Sequence, residues 1–72
     1  MDAQIRKTIA SIIERVNAVK DGQLRFPADE SMAILGTMNK YLEMVQPVDP
    51  QDADLLRELA TSKTLLEKIR RA

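Results

Sequence analysis

Along the first third of the chain, Ile5, Ile9, Ile12, Val16 and Val19 recur at alternating intervals of four and three residues. That rhythm holds apolar side chains on one stripe of an α-helix, and Ile13 widens the stripe on one side. It predicts a first helix over 2–20, bracketed by Asp2 and Asp21 and stopped at "KDGQ", where a glycine follows the last turn. A second stripe, Leu35, Met38, Leu42 and Val45 with Ile34 and Tyr41 flanking it, predicts a helix over 28–45. Pro27 fixes its own φ and disfavours helix at Phe26, so this helix starts at or just after the proline. "QPVDPQ" ends it, because neither of its two prolines can continue a helix. The third stripe is Leu55, Leu59, Ser62, Leu66 and Ile69, broadened by Leu56 and Leu65, and predicts a helix over 50–71.

The polar residues agree with these boundaries. Asp49 is placed to cap the third helix, Pro50 suits its first position, and Asp52 falls at its third. Acidic residues (Asp52, Asp54, Glu58) come first and basic ones (Lys63, Lys68, Arg70, Arg71) last, the order that the helix dipole favours. Asp29 and Glu30 take the same place in the second helix. Leu24 and Phe26 are apolar residues in a connection and are expected to fold back onto the bundle end. Three helices of similar length with short connections predict an all-α fold, an antiparallel up-down-up three-helix bundle forming one domain over 1–72. A core this small gives marginal stability alone, and association would relieve that.

Composition narrows the function. The chain has no cysteine, histidine or tryptophan. Disulfides and thiolate metal sites are therefore absent, as are the commonest general base and the commonest transition-metal ligand. The expectation is a non-enzyme with no metal and no resident cofactor. Eleven basic and eleven acidic residues cancel, so no net positive field is available to attract nucleic acid. No apolar run approaches the roughly 20 residues of a membrane span. The opening "MDAQIRKTIASII" lacks the basic-then-apolar order of a signal peptide. A cytoplasmic protein without membrane or nucleic-acid partners is expected.

The least ordinary stretch is "MAILGTMNKYLEMV", where Gly36 and Thr37 interrupt a helical pattern. Glycine costs a helix interior roughly 1 kcal/mol relative to alanine. At about 100° per residue, Gly36 lies about 140° from the centre of its helix's apolar seam. Ala33, Thr37 and Lys40 share that outward face, and Met44 follows one turn later. The patch is small, flat and lightly charged. Three readings are open: a tolerated exposed glycine, a docking face for a partner helix or second copy, and a kink at Gly36–Thr37. Ser62 poses the opposite question, since it sits at the centre of its apolar stripe. A back-bond to the carbonyl of Glu58 is the ordinary expectation, and a thin point in the core the alternative.

"DPQDAD" gathers Asp49, Asp52 and Asp54, but lacks the alternating oxygen ligands and the glycine of a calcium loop. Helix capping accounts for these residues. "KIRRA" spreads Lys68, Arg70 and Arg71 around the helix rather than along one stripe. Tyr41 is expected to pack beside the core with its hydroxyl in water. "DESMAILGTMNKYLEMV" followed by "DPQDADLLRELATSKTLLEKI" resembles the second half of acyl and peptidyl carrier proteins. The resemblance implies a phosphopantetheine arm on Ser31, with Asp29 and Glu30 as the acidic lead-in and Met32 as the apolar residue that follows. It also implies a closing helix carrying Leu59, Thr61, Leu66 and Ile69. Glu30 stands where the family places an aspartate, and the usual glycine just upstream is missing.

The leading expectation is a non-catalytic helical protein–protein interaction module: an adaptor, chaperone-like or regulatory subunit. Its partner is another protein or a second copy, met through Ala33, Gly36, Thr37, Lys40 and Met44. The alternative is a carrier protein modified on Ser31.

Overall fold

A computed structural model describes residues 1–22 and 25–71 and contains three helices: α1 (Ala3–Lys20), α2 (Ala28–Met44) and α3 (Pro50–Arg71). Asp2 and Val45, expected inside their helices, are instead the caps. The Asp2 carboxylate accepts from the Gln4 amide at 2.6 Å. Val45 is already extended, and only its amide continues the ladder, to the Tyr41 carbonyl. Pro27 precedes α2 with no side chain to cap it, leaving Asp29 and Glu30 to meet the free amides' positive end.

The start of α1 meets the start of α3 through Arg6 and Asp52. Val19, Ala28, Ser31 and Ile69 come together at the other end. Hence α1 and α3 run the same way and α2 runs against them, the expected up-down-up order. Both α1 and α2 pack on α3, which makes α3 the spine of a bundle measuring 35 × 20 × 18 Å.

The buried core is Ile9, Ile12 and Val16 from α1, Ile34, Leu35 and Met38 from α2, and Leu59 and Leu66 from α3. One part of the expected seam shifts. Ile34, read as a flank, is as buried as Leu35, while Leu42 and Val45 are only half-buried. These two residues lie where α2 finishes, and helix ends have fewer neighbours to cover them. Phe26 packs against the core as expected. Leu24 lies outside the described residues.

Ser62 is buried at the centre of its stripe, but the back-bond to Glu58 is not made. Thr8, Thr37, Thr61 and Thr64 form that kind of bond instead. Ser62 lies at the edge of an open hollow with Ile13, Asn17 and Thr61. No buried side-chain nitrogen or oxygen among the described residues lacks a partner, so its hydroxyl must reach that hollow.

After α1 the chain turns through Gly22, whose φ is +79° and whose amide bonds to the Val19 carbonyl at 3.1 Å. This left-handed residue ends the helix, and an L side chain there costs roughly 1–2 kcal/mol.

Candidate functional site

The outward face of α2 has the expected composition and one difference in phase. Ala33, Gly36, Lys40 and Met44 are exposed, whereas Thr37 is half-buried and donates its hydroxyl to the Ala33 carbonyl at 3.0 Å. The helix runs unbroken through Gly36–Thr37. A methyl group added at Gly36 would meet nothing within 4 Å. Large apolar side chains stand out on either side of this strip: Met32 is 62% exposed and Met44 68% exposed, with Val48 exposed beyond the helix end.

The two glycines therefore make a matched test. Gly36→Ala is expected to stabilise the isolated fold by about 0.4–1 kcal/mol, since only helix propensity and unfolded-chain freedom change. Gly22→Ala is expected to destabilise it by about 1–2 kcal/mol, since the left-handed backbone must be kept. Chemical-denaturation midpoints of the two variants should move in opposite directions. A shift of the same sign in both would contradict this placement.

Ser31 is 3% exposed. It borders a shallow hollow with Val19, Phe26, Ala28, Leu66 and Ile69. Its amide is already taken by the Pro27 carbonyl in the first turn of α2. An arm attached there would need the hydroxyl to reach a modifying enzyme, and the small exposure of the residue leaves little room for that.

The feature that the pattern reading missed is at the other end. Asp52, assigned to helix capping, is fully buried. Asp49 does cap α3, accepting from the Asp52 amide at 2.9 Å. The Asp52 carboxylate turns away from the helix, however, accepting from the Met1 ammonium at 3.1 Å and from the Arg6 guanidinium at 2.9 Å. Burial pushes this carboxyl up, but hydrogen bonds from the ammonium and Arg6, together with their charges, outweigh it and hold it below its ordinary value. A signal for this was present. Asp52 precedes Leu55 by three residues and so extends the α3 stripe backwards, and a charge on an apolar stripe needs a buried partner.

A second polar link ties the connection down. Arg15 lies 4.8 Å from the centre of the Phe26 ring and pairs with Glu30. It thus clasps the end of α1 to the start of α2. These groups hold helices together, Asp52 joining α3 to α1 and Arg15 joining α1 to α2. Among the described residues no group of acidic side chains has the arrangement to hold a metal ion, and no helix is long and apolar enough to cross a membrane.

No family model, curated protein or solved structure matches the chain.

Proposed function

We propose that this protein is a non-catalytic helical interaction module that presents the outer face of α2 to a protein partner. The observation that carries the reading is the pairing of small residues with exposed large ones on one helix face. Ala33 and Gly36 leave the backbone open to close approach, and Met32 and Met44 offer flexible apolar side chains beside them. Binding energy on such a face comes from apolar burial, with Lys40 helping to set register. The chemistry suits an adaptor or regulatory subunit. A carrier role for Ser31 is the less favoured reading because the residue as a whole is only 3% exposed; mass spectrometry after incubation with coenzyme A and a phosphopantetheinyl transferase tests it directly.

The face is tested by Gly36→Leu. The isolated chain should fold at least as well as the parent, because the position is open and leucine is a better helix former than glycine. Capture of protein partners from the native host should fall, because a leucine cannot fit where backbones nearly touch. Equal capture by parent and variant would remove this face from consideration.

A further inference from the structure

The outer face of α2 carries more order than small residues alone. Asp29, Ala33, Gly36 and Lys40 follow one another at intervals of four, three and four residues, and all are exposed. That is the spacing of a seam between two helices. It reads charge, small, small, opposite charge, so its reverse is its complement. Laid antiparallel on itself, Ala33 of one copy falls against Gly36 of the other, and Asp29 falls against Lys40 at both ends. Within one copy neither charge is ion-paired: the ion pairs among the described residues involve Asp52, Glu30, Asp54 and Glu67, with neither Asp29 nor Lys40.

We infer that the occupant of this face is a second copy of the chain, joined as an antiparallel α2–α2 pair about a twofold axis between residues 34 and 35. The inference rests on the interaction-module reading and names its partner. The axis makes the contact isologous, each patch meeting itself. Ala33 and Gly36 allow the helix backbones to come close. Met32, exposed on the flank of the seam, is then covered by the neighbourhood of Asn39 on the second copy. Two symmetric Asp29–Lys40 pairs set direction and register, since a parallel pairing would place like charges together. One face of a single seventeen-residue helix is small, so the dimer belongs to the weak end of specific interfaces.

Charge exchange tests the arrangement. Sedimentation of the full chain, from low to high micromolar concentration, should show a reversible monomer–dimer equilibrium. Asp29→Lys alone and Lys40→Asp alone should each weaken it by about tenfold or more, because both symmetric pairs turn repulsive. The double exchange should restore it. Melting each variant at low concentration separates a damaged fold from a damaged contact. The chain has no cysteine, so a mixture of Ala33→Cys and Gly36→Cys chains should form a crossed disulfide dimer under mild oxidation. A monomer at every concentration overturns the second-copy assignment, and the Gly36→Leu capture comparison then judges the broader reading separately. A dimer that ignores both the charge changes and Gly36→Leu overturns the assignment too, since it must use another face.

Discussion

Leu66→Ala is expected to cost about 2–5 kcal/mol, enough to leave the chain partly unfolded at room temperature. Leu66 is fully buried on α3, the helix against which both others pack. Truncating it removes apolar burial from a core cluster to which all three helices contribute. A domain of this length has only about 3–5 kcal/mol in hand, so the loss is comparable to the whole. Since 1 kcal/mol moves the Tm of so small a domain by about 4–8 °C, the shift should be tens of degrees. Leu42→Ala provides the contrast. Leu42 has the same side chain at an expected seam position, but it is half-buried, and its loss should be well below that of Leu66. Urea denaturation followed by circular dichroism measures both. Equal losses would mean that the end of α2 is more tightly covered than its exposure indicates.

The helices were legible because periodicity and punctuation agree. Apolar residues repeat every three or four positions, and Gly22, Pro27, Pro47 and Pro50 stand where a helix must stop or can begin. The phase of Gly36 was legible for the same reason, since the face opposite a seam follows from angle alone. What the pattern could not supply was relative depth. Ile34 and Leu42 flank and continue the seam of one helix, and their exposures depend on how far α1 and α3 extend beside them. The open side of Ser62 was not legible because the hollow beside it is closed partly by α1, through Ile13 and Asn17, which the pattern of α3 alone does not name. Asp52 was the instructive case. A carboxylate three residues into a helix satisfies the capping rule so well that its place on the apolar stripe is easily overlooked. Its partners Met1 and Arg6 lie far away in sequence, where no local rule reaches.

Acid is expected to unfold this protein through Asp52. Its carboxyl is held below its ordinary value in the folded chain, burial raising it but the ammonium and guanidinium together lowering it further. The unfolded chain therefore takes up the proton first. Above the unfolded value the contribution of the ion cluster is complete. It is lost progressively as pH falls from about 4 through the folded value, because the unfolded state binds more protons over that range. Asp52→Asn removes the charge while keeping the shape, and it should lower the Tm at pH 7, since it leaves the Met1 ammonium with no carboxylate in its buried surroundings. Its stability should also depend less steeply on acid, so the parent and variant curves approach each other as pH falls below about 4 and the parent loses the contribution of Asp52. Arg6→Gln should be milder than Asp52→Asn. The Arg6 side chain is 46% exposed, and its removal leaves Asp52 still paired with the ammonium. Thermal melts of the three proteins between neutral pH and about pH 2 decide the matter. If the variant and parent lines run parallel, Asp52 does not carry the acid response. If Arg6→Gln is the more damaging change, the ammonium is not the carboxylate's principal partner.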